Sequence, residues 1–140
     1  MRISLLRYAG IYIATALGLA LLTWVLASFA GVRLPTGLST ALPPMLAALL
    51  EGQAFARETR EPLLNDEAWS AAFRMTLVVA VINAVILGGV LLFTPELTDP
   101  EVLTIVGVVF LVLLVVVLLV NRIFLGMGAR SQLKALESRK

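Results

Sequence analysis

Four apolar stretches constrain the fold of this chain more than any other feature of its sequence. The clearest is Val102 to Leu125, an almost unbroken run of Val, Leu and Ile in which Gly107 is the one small residue near the centre. A helix of about 20 apolar residues crosses a bilayer core about 30 Å thick. Lipid offers the backbone no hydrogen-bond partners, so crossing segments of this kind are helical. The sequence therefore predicts an all-α integral membrane protein.

The composition and the spacing of the stretches extend this prediction. Of the 140 residues, 60% are hydrophobic and 14% are charged, whereas about a quarter of the residues in a soluble domain are charged. We expect a single membrane domain with four transmembrane helices in an antiparallel bundle, followed by a short basic tail. The expected helices cover about residues 5–30, 38–57, 66–93 and 100–125, and the tail covers 126–140.

Cysteine and histidine are both absent from the sequence. Their absence excludes disulfides, thiol nucleophiles, and thiolate or imidazole metal ligands. The sequence also has no phosphate-binding loop and no nucleophile paired with a base, so we expect no catalytic residues, no cofactor, no metal site and no enzymatic activity. The basic residues flank the apolar stretches instead of clustering on one helical face, which favours membrane topology over nucleic-acid binding as their role.

The basic residues also predict the orientation of the chain. Arg33 is the only Lys or Arg in the two connections on one side, whereas the other ten lie near the termini and in the loop after the second segment. Positive residues accumulate on the cytoplasmic side of membrane proteins. We therefore expect both termini in the cytoplasm. The ten residues are Arg2, Arg7, Arg57, Arg60, Arg74, Arg122, Arg130, Lys134, Arg139 and Lys140.

Local signals mark the start of two helices. Asn65 is a residue type that caps helix N-termini, and Asp99 followed by Pro100 is a common pair of cap and first helical residue. We expect the third helix to begin after Asn65 and the fourth to begin at Pro100. Because the connection between these helices is short, they should form an antiparallel hairpin.

The second segment, from Leu34 to Arg57, is the least typical of a lipid-facing helix because it contains Pro43-Pro44. A helix limited to the part after the prolines would span only about 20 Å at 1.5 Å per residue. Three interpretations remain open. The helix begins near Thr36 and kinks at the prolines, its outer third is irregular, or it begins near Leu42, where proline is tolerated in the first turn. We favour the start near Leu42. An interrupted helix marks the binding site in some transporters.

Glu51 lies within the same segment, near its cytoplasmic end. A charged group inside a membrane is costly, and it faces a protein partner or water. Glu51 is therefore expected to form an ion pair with Arg7, Arg74 or Arg122, an arrangement that would connect two helices. The alternative is a proton- or cation-binding acid in a transporter. We favour the ion pair.

Small residues recur at every fourth position on two helices, a pattern that allows another helix to approach closely. Asn83 lies beside the longer set, near the middle of the bilayer, where a hydrogen bond to another helix best satisfies its amide. We interpret both sets and Asn83 as helix-packing positions. The first helix contributes Gly10, Ala14 and Gly18, and the third contributes Ala72, Thr76, Ala80, Ala84 and Gly88.

The sequence EGQAFAR, from Glu51 to Arg57, closes the second of the four segments. In this motif, and in length, helix number and the charged loop that follows, the chain resembles an uncharacterised family of small bacterial inner-membrane proteins. The resemblance implies a four-helix architecture and a bacterial cytoplasmic membrane. It implies no activity and no functional residues, because none is assigned to the family.

These features favour a non-catalytic accessory or packing protein of the membrane. Its partners would be the lipid bilayer and, through the small-residue faces, either another copy of itself or a larger membrane protein complex. The alternative is a small homo-oligomeric transporter or channel that uses Glu51 and the Pro43-Pro44 helix break.

Overall fold

The computed structural model describes residues 3–139, so Arg2 and Lys140 lie outside the described residues. The described part is all-helical, which confirms the predicted class. It contains four long helices and a short 3-10 turn between the last two, Pro95–Thr98. The long helices are α1 (Leu5–Val25, continued by a π-helical turn over Leu26–Ala30), α2 (Thr36–Thr59), α3 (Asn65–Phe93) and α4 (Pro100–Glu137).

Three of the described helices are long and apolar enough to cross a membrane: Leu5–Ala30, Asn65–Phe93 and Pro100–Glu137. This supports the prediction of a membrane-embedded protein. Helix α2, which carries Glu51 and the proline pair, is less apolar than the other three long helices. Its small and apolar side chains are nevertheless the most enclosed in the molecule, because α2 packs against both α1 and α4. The least apolar of the four helices is therefore the one whose side chains are most buried against other helices.

Helix α2 runs without interruption from Thr36 to Thr59, through Pro43 and Pro44. It therefore has neither an irregular outer third nor a start near Leu42. Its 24 residues give a length of about 36 Å, enough to cross a bilayer core. Proline has no backbone N–H, so the helix lacks the hydrogen bonds that would normally end at Ser39 and Thr40 four residues earlier.

The helix starts differ in how they are capped. Asp99 caps α4 as expected, since its side chain accepts a hydrogen bond from the backbone N–H of Glu101. Asn65 does not cap α3. It is the first helical residue, and its side-chain oxygen accepts a hydrogen bond from Arg122 instead. At α1, the Ser4 hydroxyl accepts a hydrogen bond from the Arg7 N–H at 3.2 Å.

The four helices form a ring in the order α1, α2, α4, α3. The most extensive packing joins α2 to α4, followed by α1 to α2 and α3 to α4. Helices α2 and α4 run parallel, because Pro44 lies near Val117 while Gly52, further along α2, lies against Leu125. The bundle therefore combines antiparallel contacts between consecutive helices with a close parallel contact.

Helix α4 extends well beyond its expected end at Leu125. It remains helical to Glu137, so most of the predicted tail belongs to the helix. Gly128 and Ala129 are buried in this extension, where Gly128 faces the backbone of α2. Contact with α2 explains why the helix does not end with the apolar run.

The buried core lies at one end of the bundle. Its large members include Tyr8 near the start of α1, Met75 in the first half of α3, and Leu125 in the second half of α4. In the opposite half the helices diverge, and most of their side chains are exposed to the surroundings of the molecule. Only the half that contains both described chain ends is closely packed.

Candidate functional site

Glu51 forms the most completely bonded polar site in the packed half. Its side chain is fully buried, and its two carboxylate oxygens accept hydrogen bonds from Arg7 Nε at 2.7 Å and from Arg7 Nη2 at 2.8 Å. The backbone N–H of Ser4 donates a third hydrogen bond to Glu51 Oε1 at 2.6 Å. A two-point contact between a guanidinium and a carboxylate is among the strongest in proteins and fixes orientation. Glu51 therefore joins α2 to the start of α1.

The start of α1 is a favourable place for a carboxylate. The first N–H groups of a helix have no partner within that helix, and the helix dipole places partial positive charge there. The Ser4 N–H is such a donor, and Arg7 adds a full positive charge one turn later. On the same side of α2, Glu58 Oε1 lies 3.5 Å from Arg7 Nη1. The arginine is thus shared between a buried carboxylate and an exposed one.

The structure separates the three arginines considered as partners of Glu51. Among the described contacts, the ion pair of Glu51 is with Arg7. Arg122 donates a hydrogen bond to Asn65 Oδ1 and lies over the Trp69 ring, with Cζ 5.5 Å from the ring centroid. Arg74 is exposed on α3.

A buried chain of hydrogen bonds connects three helices next to this site. The Tyr8 hydroxyl of α1 donates to Asn121 Oδ1 of α4 at 2.8 Å. Asn121 Nδ2 donates to Thr76 Oγ1 of α3 at 3.2 Å, and that hydroxyl donates to the Ala72 carbonyl at 2.8 Å. Tyr8 and Asn121 are completely buried. The sequence analysis did not single out this pair, although an Asn within an apolar run is itself a signal.

Asn83 makes a second polar contact between helices. Its Nδ2 donates to the Tyr12 hydroxyl of α1 at 2.9 Å and to the Val79 carbonyl of its own helix at 2.9 Å. The carboxamide is partly buried in the region where the helices begin to diverge. It therefore connects α3 to α1 further along the bundle than Tyr8 and Asn121 do.

The two sets of small residues have different surroundings along their length. Ala72 and Thr76 are buried and Ala80 is partly buried, but Ala84 and Gly88 are exposed. The set on α1 is exposed throughout, at Gly10, Ala14 and Gly18. A Cβ atom added at Gly10, Gly18 or Gly88 would have no described atom within 4 Å, apart from its chain neighbours and the nearby backbone of its own helix.

The closest backbone approach instead involves two glycines that the sequence analysis did not select. A Cβ atom added at Gly52 of α2 would collide with the Leu125 carbonyl oxygen and lie 2.9 Å from the Ala129 nitrogen. One added at Gly128 of α4 would collide with the Leu49 carbonyl oxygen. These reciprocal contacts place the backbones of α2 and α4 directly against each other.

The diverging half contains a cleft of about 310 Å³ to which all four helices contribute. Most of its lining is apolar, and the polar side chains include Tyr12, Asn83 and Thr40. Glu51 does not line the described cleft. The cleft and the ion pair are therefore separate features of the molecule.

The polar side chains of these sites make hydrogen bonds and an ion pair between helices. Within residues 3–139, no cluster of three or more acidic side chains is arranged to hold a metal ion. The polar groups of the packed half are bonded mainly to each other. Comparison with protein-family models, with curated proteins and with solved structures finds no match to this chain.

Proposed function

We propose that this chain is a non-catalytic accessory protein of a bacterial cytoplasmic membrane that associates, through the exposed small residues of α1 and α3, with another copy of itself or with a larger membrane complex. It crosses the membrane four times and has both termini in the cytoplasm. The contrast between its two groups of glycines carries the proposal.

Gly52 and Gly128 have a packing role within the chain, because the absence of a side chain at each position allows the backbones of α2 and α4 to touch. Gly10, Gly18 and Gly88 are open within the described residues, as are Gly37, Gly89 and Gly107. What sets the first three apart is that they belong to the small-residue sets of α1 and α3. A glycine inside a helix costs about 1 kcal/mol relative to alanine, so an open position gains nothing from glycine in an isolated chain. Close approach of another helix would offset that cost.

The packing of α2 supports a fourth crossing. Its first half lies beside α4 near Val117, and its second half lies beside Leu125. Because α4 is one of the helices apolar enough to cross, the first half of α2 lies alongside part of a crossing helix. Arg33 then lies beyond one end of α2, and Arg57 and Arg60 lie at the other. The asymmetry of basic residues supports cytoplasmic termini.

The geometry of Glu51 favours packing over transport as its role. Both oxygens already accept strong hydrogen bonds from Arg7, and the carboxylate is buried away from the cleft. A transported ion or proton would have to displace Arg7. The unbroken course of α2 through Pro43-Pro44 also provides no gap in the helix for a substrate.

Substitution of the open glycines tests the proposal. Gly18→Leu and Gly88→Leu place a bulky side chain on the exposed faces, and we expect each to dissociate the native assembly while the chain itself remains folded. Gly107→Leu is the matched control, because Gly107 is equally open but belongs to neither set. Native mass spectrometry of the assembly purified in mild detergent gives the stoichiometry. Equal behaviour of all three variants, or a wild-type chain that is monomeric and alone, would exclude the proposal.

A further inference from the structure

A second basic site lies at the cytoplasm-proximal end of the bundle, away from the Arg7–Glu51 pair. It is a pocket of about 240 Å³ between the α2–α3 loop, the start of α3 and the extension of α4. Two guanidinium groups line it, and no carboxylate belongs to its described lining. The lining residues are Pro62, Leu63, Asn65, Arg122, Gly126, Ala129, Arg130 and Leu133.

The position of Arg122 is fixed, but its hydrogen-bonding capacity is not filled. Asn65 accepts from Nη2, and Trp69 lies against the guanidinium. Nε is buried and has no acceptor among the described residues. Nη1 lies 3.3 Å from the position that a Cβ atom would take at Gly126. The glycine thus leaves room for the guanidinium beside the pocket.

Arg130 provides the second positive charge. It is exposed on α4, about two turns beyond Arg122, and both residues line the same pocket. Within the described chain it takes part in no salt bridge. Arg122 and Arg130 together give the lining two positive charges, which an anion would neutralise.

In the first turn of α3, Asn65 is the residue that belongs to the described lining of the pocket. Leu64, the residue before α3, has no side chain that can cap the helix, so the first N–H groups of α3 lack the usual side-chain acceptor. Helix N-termini with free N–H groups favour anions. Asp66 and Glu67 belong to the same turn but do not line the described pocket.

We propose that this pocket binds a phosphate group. Arginine guanidinium groups match phosphate oxygens in geometry and charge. The pocket has room for about eight water molecules at about 30 Å³ each, more than a phosphate group occupies. It also lies where the apolar run of α4 gives way to Arg130 and Lys134, the level at which lipid headgroups meet a membrane protein. The phosphate belongs to an anionic lipid or to a soluble phosphate compound.

Binding of two probes to the purified full-length chain in neutral detergent tests this inference. The probes are short-chain phosphatidylglycerol and inorganic phosphate, with short-chain phosphatidylcholine as the zwitterionic comparison. Fluorescence of Trp69, measured with Trp24→Phe as background, reports occupancy next to Arg122. Saturable binding of phosphatidylglycerol alone assigns the pocket to lipid, and binding of inorganic phosphate as well assigns it to soluble phosphate. Binding of neither probe overturns the inference.

Three variants show whether the bound anion uses the pocket. Arg130→Gln is expected to weaken binding about tenfold, because it removes a charge-assisted hydrogen bond from an exposed position. Gly126→Ala is expected to weaken it less than Arg130→Gln does, because the added methyl group requires only a small shift of the Arg122 guanidinium. Lys134→Gln removes an equal charge one turn beyond Arg130, at a residue outside the described lining. It is the control and should leave affinity within about twofold, the modest effect of a single exposed charge. If Arg130→Gln and Lys134→Gln lowered the affinity equally, the anion would be attracted by the basic surface in general, and the proposed pocket would be excluded as its binding site.

Discussion

At the scale of single residues, the contacts of Glu51 combine charge with complete burial. Arg7 offers two N–H groups and Ser4 offers one, so both carboxylate oxygens are occupied. Burial of a charge is costly unless it is paired and hydrogen-bonded. The consequence is that removal of either partner should be much more costly than the small net value of an exposed ion pair would suggest.

The first prediction compares Glu51 with Glu58, since both contact Arg7. Glu51→Gln should lower the free energy of unfolding by about 1–3 kcal/mol, because a neutral amide loses charge-assisted hydrogen bonds and leaves Arg7 less well paired. Arg7 remains 39% exposed, so water compensates in part. Glu58→Gln should change the free energy by less than about 1 kcal/mol, as for other exposed pairs.

Reversible unfolding in mixed detergent micelles, followed by tryptophan fluorescence, measures both variants. A double-mutant cycle with Arg7→Gln and Glu51→Gln isolates the coupling between the two side chains. The cycle should give a coupling energy well above that of Arg7 with Glu58. Equal effects of the two glutamate variants would contradict the structural importance of the buried pair.

At the scale of helices, the contact between α2 and α4 depends on the absence of two side chains. Gly52 and Gly128 each face a carbonyl oxygen of the opposite helix. Replacing a helical glycine by alanine ordinarily stabilises a helix by about 1 kcal/mol. At these two positions the sign should reverse, because the added methyl group has no space and its obstacle is backbone, which cannot rotate away.

A glycine-to-alanine series tests this reversal. Gly52→Ala and Gly128→Ala should each destabilise the chain by about 1–3 kcal/mol, the usual cost of overpacking. Gly107→Ala is the control, because no described atom lies within 4 Å of the added carbon, and it should be neutral or stabilising. The same unfolding titration compares all three. Stabilisation by Gly52→Ala would mean that α2 and α4 are further apart than described.

The helices themselves follow from the sequence, whereas their contacts do not. Apolar runs predict helices because the bilayer leaves the backbone no other way to form its hydrogen bonds, and the Asp99-Pro100 signal correctly located the start of α4. A small residue at every fourth position gives the same pattern whether a face is buried or exposed. The pattern on α3 therefore marked Ala72, which is buried, and Gly88, which is open, without distinguishing them. Gly52 and Gly128 belong to different helices, and only the three-dimensional arrangement brings them together.

The candidate site shows the same limit. The sequence singled out Glu51 because an acid in an apolar segment requires a partner, and it offered three arginines without a way to choose. The choice depends on the ring order of the helices, which places the start of α1 beside the second half of α2. Asn121 was missed as a bonding partner of Tyr8 because their separation of 113 residues leaves no local signal.

At the scale of the whole molecule, the proposed four crossings require that the two connections flanking α2 lie on opposite sides of the membrane. The chain contains no cysteine, so any single cysteine introduced into it is a unique chemical label. Val32 and Glu61 are both exposed and lie beyond the two ends of α2. Their accessibility therefore reports whether α2 crosses.

We expect Val32→Cys to react with a membrane-impermeant maleimide from outside intact bacterial cells, and Glu61→Cys to react only after the cells are opened. Thr98→Cys, in the acidic connection between α3 and α4, should behave like Val32→Cys. Ser138→Cys should behave like Glu61→Cys, because the proposed orientation places the side that carries ten of the basic residues in the cytoplasm. If Val32→Cys and Glu61→Cys were labelled from the same side, α2 would not cross, and the close parallel contact of α2 with α4 would have to lie outside the bilayer.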